Sequence, residues 1–268
     1  MKAETLSAAE IKNALQTKWA GREVYYFSET DSTNIQAGLL AENDSPHGTL
    51  VVAGSQQAGK GRRGRSWASE ADRGIFMTLL LRPRINPCNA SMLTLVAAMA
   101  VQKSICESLR LPTQIKWPND IVLNGKKICG ILTEMRTDRE NIGHVLVGIG
   151  INVSNRKFSE EISNSATSLF LEIGREVDKT ALIAEVLKRF EYYYERFCET
   201  EDMSVLCEEY NTYLVNRNRQ VRVLDPQKPY AGVAMGINAQ GELCVEADGE
   251  KYLVSSGEVS VRGIYGYV

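Results

Sequence analysis

After residue 109 the chain changes its hydrophobic period from that of a helix to that of a strand. Residues 114–116, 121–123, 127–134 and 145–153 read as successive short strands, because apolar and polar positions alternate and turn formers break the runs. Asn124-Gly125 supplies the two positive-φ residues of a tight hairpin turn. Strands joined by hairpins lie antiparallel, so this segment is a meander, which disfavours a doubly wound parallel sheet. Before it, Leu93, Val96, Ala97, Ala100 and Val101 keep i, i+3, i+4 spacing and predict one long amphipathic or buried helix over 89–109.

The flanks complete an α+β domain, with a mixed or antiparallel sheet flanked by helices. A helix over 8–16 precedes a strand at 23–28. Asp31, Ser32 and Thr33 offer N-cap oxygens to a helix over 34–42. Residues 48–53 and 74–81 read as buried strands. Asp178 can cap a helix over 179–198 with the stripe Ile183, Val186, Leu187, Phe190, Tyr194 and Phe197, and a further helix covers 203–214. Tyr192, Tyr193 and Tyr194 read as core and rim of the first of these helices in preference to a base-stacking platform. Beyond Asn216 the helical signal stops. Segments at 220–224, 231–237, 243–247, 251–254 and 259–262, separated by Pro226, residues 238–241 and Asp248-Gly249, predict a small β-barrel. The expected division is a domain over 1–216 that carries the chemistry and a barrel over 217–268.

The formal charge of −2 gives no global field toward DNA or anionic lipid, so any basic feature acts locally. No apolar run approaches the ~18 to 20 residues of a membrane span. The start, MKAETLSAAE, lacks the apolar core of a signal peptide, and a cytoplasmic address is expected. Six cysteines without a C-x-x-C pair, and two histidines, His47 and His144, without companions at ligand spacing, argue against a structural zinc site. No nucleophile, base and orienter set is visible.

One stretch stands out chemically: GKGRRGRSW, residues 59–67. Gly59, Gly61 and Gly64 satisfy G-x-G-x-x-G, but no apolar helical spacing follows, and the position where a ribose-binding acid should stand is Arg84. A phosphate loop fails too, because Lys60 is followed by Gly61 where a Ser or Thr should hold magnesium. A solvated basic loop is the plain alternative. Against it, cations interleaved with glycines let side chains and backbone N–H groups converge on one anion. The loop also leaves a buried strand and ends in Trp67, whose ring can shield a ligand.

A second cluster is KWPND, residues 116–120, followed by KKICGIL, residues 126–132. Pro118 and Asn119 break a strand, so Lys116 and Asp120 flank a turn while Lys127 returns on the next strand. Two cations and a carboxylate thereby approach one another. Taken alone, this is equally a tight turn with a surface ion pair.

GKGRRGRSW, KWPNDI and KKICGIL, with DSTN at 31–34 and GIGIN at 148–152, resemble the ordered motif set of the biotin protein ligases. The resemblance runs from about Thr30 onward and includes the small barrel, SH3-like in that family, beside a class II synthetase-like catalytic domain. Two departures stand out. Lys60 occupies a position where the family usually has arginine, and keeps the charge without the planar fork. Cys129 stands where a small Ala or Gly lining residue is usual.

The resemblance implies a two-step reaction. Biotin and ATP give biotinyl-5′-AMP and pyrophosphate, with magnesium sharing the charge, and a lysine of a biotin carboxyl carrier protein then takes the biotinyl group. It implies that Ser32, Thr33, Asn34 and Gln56 line the ureido end. Gly59, Lys60, Gly61 and Arg62 would close over biotin and its acyl phosphate, and Lys127 would sit at the carboxylate. Gly130, Leu132, Gly148 and Gly150 would form a wall that a flat ligand approaches closely. Arg62 and Arg65 would hold phosphate, and Trp67 and Asn152 would lie near adenine. Lys116, Asn119 and Asp120 would line the nucleotide and acceptor-lysine end, with Asp120 either a base or an orienter of Lys127. Catalysis would fall to Lys127, Arg62, Asp120 and Lys116, with no metal held by protein ligands. A mixed anhydride hydrolyses in water, so residues 59–67 are expected to be mobile until ligand orders them. The rival readings are a lipoate or octanoyl protein ligase-type acyl transferase and a DNA-binding, biotin-responsive regulator. The absence of an N-terminal winged helix and the negative net charge argue against the latter, so no DNA and no membrane partner is expected. Monomer and homodimer both stay open.

Overall fold

The computed structural model describes residues 6–225, 228–256, 260–263 and 267–268. Helix α1 (Ala8–Ala14) leads to β1 (Val24–Thr30), α2 (Thr33–Glu42), β2 (Leu50–Gln56) and β3 (Gly74–Leu81). A 3-10 turn (Pro87–Met92) opens the central helix α3 (Leu93–Leu109). Strands β4 (Gln114–Lys116), β5 (Asp120–Leu123), β6 (Lys126–Asp138) and β7 (Asn141–Asn152) follow. Helices α4 (Leu169–Ile173), α5 (Lys179–Thr200) and α6 (Cys207–Tyr213) complete this unit. The remaining strands are β8 (Arg219–Leu224), β9 (Tyr230–Ile237), β10 (Leu243–Ala247), β11 (Glu250–Val254) and β12 (Ser260–Gly263).

The main sheet has seven strands in the order β1-β2-β3-β7-β6-β5-β4. Only β1 and β2 are parallel, joined through the crossover helix α2; every other neighbour is antiparallel, as the hairpin-rich sequence predicts. The period of two sorts the strands into two faces. Val145, Val147, Ile149 and Ile151 of β7, with Ile75, Met77, Leu79 and Leu81 of β3, face the core around α3 and α5. Val51, Leu80 and Leu146 face a smaller cluster under α2. Phe76 and Thr78 share that second face, as do Gly148, Gly150 and Asn152. Register brings Gly130, Leu132 and Glu134 opposite Gly150, Gly148 and Leu146. One sheet face is therefore committed to core, and its reverse, only partly covered by α2, is left for chemistry.

Several boundaries differ from the sequence expectation for physical reasons. The helix expected from residue 89 is a 3-10 turn up to Met92, started by Pro87, with the Asn86 side chain accepting from Cys88 N. The hairpin of β6 and β7 extends past residues 134 and 145 through MRTDRENIGH, which carries no apolar alternation. There the ladder itself continues a two-sided exposed ribbon. Asn124 (φ 49°) and Gly125 (φ 76°) adopt the turn expected of them, and Asp178 caps α5 by accepting from Ala181 N at 2.9 Å. A further correction concerns Pro87–Leu109, which is apolar and long enough to cross a membrane by composition, although no such run was expected; most of it is buried inside the protein.

The C-terminal strands form a five-stranded antiparallel sheet, order β11-β10-β9-β8-β12. Pro226 and Val259, both used in the sequence reading, lie outside the described residues. The second sheet is joined to the first unit by buried groups. Trp117, 1 % exposed, donates from Nε1 to Gly241 O at 3.1 Å. The Asn211 side chain accepts from Ile237 N and donates to Ile237 O.

Candidate active site

The site grows from the open face of the main sheet. At its rim, the first turn of α2 presents Ser32, Thr33 and Asn34, all buried. Ser32 takes the N-cap position, yet its side chain makes no cap bond. Instead Gln56 Oε1 accepts from Thr33 N at 2.8 Å and from Thr33 Oγ1 at 3.1 Å. Asp31 Oδ1 accepts from Ser32 N and from the Gln36 side chain. Capping oxygens were expected from Asp31, Ser32 and Thr33; replacing that cap by Gln56 leaves the Ser32 hydroxyl facing the pocket. Asn34 Nδ2 donates to Glu134 Oε2 at 2.6 Å, and the Thr78 hydroxyl lies 2.6 Å from Asn34 Oδ1. The result is a fixed row of polar groups in an otherwise apolar slot.

The floor is glycine because neighbours fill the space a side chain would take. A Cβ at Gly148 would meet Asn34 Oδ1 at 2.2 Å, and one at Gly150 would meet the Trp67 indole at 2.7 Å. Gly130 likewise faces Trp67 at 2.7 Å. The wall expected to admit a flat ligand is thus covered by an indole, and Gly148 makes room for Asn34. Trp67, which the resemblance places near adenine, rests on Gly130 and Gly150 and also lines the two neighbouring cavities. With it there, the slot lined by Ser32, Asn34, Gln56, Phe76, Leu132 and Gly148 has a free volume of about 50 Å³. A pocket that holds a small molecule needs about 300 Å³ or more.

The loop that carries Trp67 closes on itself. Gly61 N donates to Arg65 O at 2.7 Å and Trp67 N to Gly59 O at 2.8 Å, with Arg63 and Gly64 at φ 58° and 72°. It is a hairpin excursion, and no long helix follows it, in keeping with the rejection of both nucleotide fingerprints. Arg62 reaches inward: its guanidinium donates to Asn119 Oδ1 at 3.0 Å and to Ser256 O, just past β11. Lys60 and Arg65 stay exposed; Lys60 borders the slot and Arg65 a neighbouring cavity.

The charged end is built by a β-bulge. Ile121 pairs with Cys129 but Val122 pairs with Lys127, so Ile128 is an extra residue. Ile128 and Cys129 both join the core, and Lys127 is re-aimed to the open face. Cys129 therefore packs against core and does not line the site, and burial pushes its thiol up. Lys127 Nζ lies 2.5 Å from Asp120 Oδ1 and 5.1 Å from the Trp67 ring centroid. Lys116, paired with Asp120 across the turn, is buried with its ammonium 4.4 Å from the Tyr267 ring centroid. Tyr267 donates its hydroxyl to Asp120 Oδ2.

Electrostatics follow from this packing. Burial lowers Lys116 to about 8, and Lys127, Arg262 and Arg65 push the same way while Asp120 opposes them. Burial pushes Asp120 up, but Lys127 and Lys116 outweigh it and hold the carboxyl below its usual range. Asn119 is tied to Ile131 through both its side chain and its backbone carbonyl. Asn152 donates from Nδ2 to Thr167 O at 3.1 Å and lines an adjoining cavity of about 330 Å³ together with Trp67, Lys127, Phe158 and Ile162.

All the candidate residues from sequence fall in or beside these three connected cavities. Sequence reasoning missed Thr78 and Glu134, which fix Asn34; Ser69, which holds Gln56; Phe158 and Ile162; and Tyr267. Thr78 and Glu134 had one usable signal, since strand alternation puts them on the same face as Gly150. Tyr267 had none, being 147 residues from Asp120.

Comparison with known proteins gives the family. Residues 26–152 match the sequence model of the biotin/lipoate A/B protein ligase family, and residues 218–262 match that of the biotin protein ligase C-terminal domain. The bifunctional ligase/repressor BirA of Bacillus subtilis is 38 % identical over 91 % of this chain and 75 % of its own length. The biotin–[acetyl-CoA-carboxylase] ligase of Mycobacterium tuberculosis is 32 % identical over 89 % of this chain and 88 % of its own. The biotin protein ligase from Aquifex aeolicus, solved in complex with biotin and ATP, superposes with a TM-score of 0.79 at 29 % identity, covering 90 % of this chain and 99 % of that one. With both domains matched in order and such relatives along nearly the whole chain, it belongs to the biotin/lipoate A/B protein ligase family, and within it to the biotin protein ligases.

Proposed function

We infer that this chain is an ATP-dependent biotin protein ligase. It joins biotin to ATP, giving biotinyl-5′-AMP and pyrophosphate, and passes the biotinyl group to a lysine of a carrier protein. The carrying observation is geometric: the slot has a polar end, the fixed row Ser32, Thr33 and Asn34, and a charged end, Lys127, whose partner Asp120 lines the adjoining cavity with Lys116. A bicyclic urea with an acid tail needs those two ends.

In the first step a biotin carboxylate oxygen attacks the α-phosphorus and the bond to pyrophosphate breaks. Two anions must meet, so Lys127 and Arg62 neutralise carboxylate and phosphate, and Lys116 faces the departing phosphates. Asp120 is an orienter, in this reading, because a carboxylate held below its usual range and 2.5 Å from Lys127 is a poor base for an ammonium. In the second step the neutral carrier amine attacks the acyl carbon and AMP leaves with the bonding pair. Asn152, Phe158 and Ile162 take the adenine side, and Trp67 folds over the adenylate and excludes water.

Magnesium fits as a passenger of the triphosphate: among the described residues no three His, Cys, Asp or Glu side chains gather to hold it, and Asp120 is engaged by Lys127 and Tyr267. The proposed acceptor is the biotin carboxyl carrier domain of a carboxylase, in the cytoplasm where such carriers meet ATP. The net charge of −2 supports no DNA partner. Mass spectrometry of the protein incubated with biotin, ATP and magnesium tests the reading. Retained biotinyl-5′-AMP and, on adding a carrier, a biotinylated lysine are expected. Turnover with lipoate in place of biotin would reject it.

A further inference from the structure

We propose that Tyr267 is a positioning residue for the charged cluster, its hydroxyl fixing Asp120 and its ring covering the Lys116 ammonium. This rests on the ligase reading above, because the cluster matters only if phosphate and carboxylate meet there.

The argument starts from what Asp120 has to do. One of its oxygens, Oδ1, is 2.5 Å from Lys127 Nζ. A carboxylate with its second oxygen free would swing about χ2, carrying Lys127 with it. Tyr267 removes that freedom by donating to Oδ2. A phenol engaged this way is itself driven hard toward its neutral form: burial pushes its ionisation well up, and the charge of Asp120 and the hydrogen bond to it push further, against Arg65 and Arg262. The hydroxyl stays a donor across the working range. Its proton holds the aspartate, the aspartate holds Lys127, and Lys127 meets the substrate.

The ring has a separate effect. Its centroid lies 4.4 Å from Lys116 Nζ, the geometry in which an aromatic face attracts a cation. Asp120, Lys127, Arg262 and Arg65 are the charged groups that face Lys116. Burial lowers Lys116 to about 8, and the ring face, by attracting the ammonium, keeps it from falling further. Tyr267 belongs to the segment beyond β12, so the second sheet's end of the chain reaches the first unit's chemistry through this side chain and through Arg62 on Ser256 O.

Two substitutions in the full chain separate hydroxyl from ring. Tyr267→Phe keeps the ring and loses the donor; Tyr267→Leu loses both. Biotin-dependent pyrophosphate exchange is followed from pH 6 to 10, and labelling of Lys116 by acetic anhydride over the same range is read by mass spectrometry. Tyr267→Phe should slow exchange about tenfold, as expected for losing a hydrogen bond to a charged group, while its Lys116 labelling midpoint stays near that of the unmodified protein. Tyr267→Leu keeps an apolar cover but loses the aromatic face that attracts the ammonium, so it should lower the labelling midpoint and the alkaline limb together by about one pH unit. An exchange rate in Tyr267→Phe equal to the parent's, or a Lys116 midpoint unmoved in a folded Tyr267→Leu, overturns the proposal. If Tyr267→Leu does not fold, the Phe variant decides. Labelling reads the ring's effect without turnover, so an unmodified protein that labels as expected but shows no exchange rejects the ligase reading and not this one.

Discussion

Lys127 and Asp120 carry the closest opposite charges of the site, and their worth to folding and to chemistry can be separated. Removing the ammonium takes away a cation aimed at developing phosphate charge, an effect on the order of 10²-fold or more on turnover. Lys127→Ala and Arg62→Ala should therefore lose adenylate formation by that factor while keeping a cooperative folding transition, measured by circular dichroism; loss of the folding transition in both would reassign them to structure. Asp120→Asn should act the other way. It leaves Lys127 and buried Lys116 facing each other, and breaking a buried pair this way costs about 3 kcal/mol, the low end because the Lys127 side chain is 24 % exposed. The pH dependence has a definite sign. Asp120 titrates below its unfolded value of 3.8, so the stability it contributes is fully present above 3.8 and is lost as pH falls through the lower folded value. Urea titrations should find the Asp120→Asn deficit at pH 7 and see it close in strong acid; a constant deficit would mean the carboxylate's charge is not what stabilises the site.

The loop of residues 59–67 and the glycine floor of β6 and β7 work as one device, because the indole of Trp67 occupies the space those glycines leave. Gly150→Ala puts a methyl 2.7 Å from the ring, and Gly148→Ala one 2.2 Å from Asn34. The first should push Trp67 outward and the second should displace the Asn34 amide, so on the proposed function calorimetry should find biotin binding weakened at least tenfold by Gly148→Ala. Limited proteolysis of the parent should cut at residues 59–67 and be slowed by biotin with ATP; cutting at an unchanged rate would deny that the loop covers the adenylate. These elements also show what could be read from sequence alone. The antiparallel hairpins, the buried helix α3 and the Asp178 cap follow from local period and turn chemistry, which one stretch of chain contains by itself. The two charged clusters, at 59–67 and 116–132, were likewise visible as candidates. The bulge at Ile128 was not, because the run Lys127, Ile128, Cys129, Gly130 does not say which of its residues is the extra one until the pairing register is known. Nor could sequence see that Trp67 rests on glycine or that Gln56 replaces the helix cap, since both depend on contacts between segments that only the folded sheet brings together.

At the scale of the molecule, the second sheet is fastened to the first by polar contacts that have no solvent alternative. Trp117 precedes the charged turn, is buried, and gives its N–H to Gly241 O; a Cβ on Gly241 would meet Leu95 of the central helix at 2.7 Å. The α6 side chain Asn211 closes the end of β9 through both hydrogen bonds to Ile237. The apolar core is continuous as well, running from α3 and α5 to Val221, Val245 and Val261 of the second sheet. Such shared burial couples the two units, so one cooperative unfolding transition is expected for the whole chain, with coincident midpoints by far-ultraviolet circular dichroism and tryptophan fluorescence. Trp117→Phe keeps most of the apolar packing but leaves the Gly241 carbonyl buried without its donor. That costs about 1–3 kcal/mol and should shift both probes together. Two separated midpoints in the parent, or a Trp117→Phe shift confined to one probe, would show that the sheets fold independently. In that case Arg62 and Tyr267 would reach across a contact that opens and closes without unfolding, and the charged cluster would be assembled only when the two units dock.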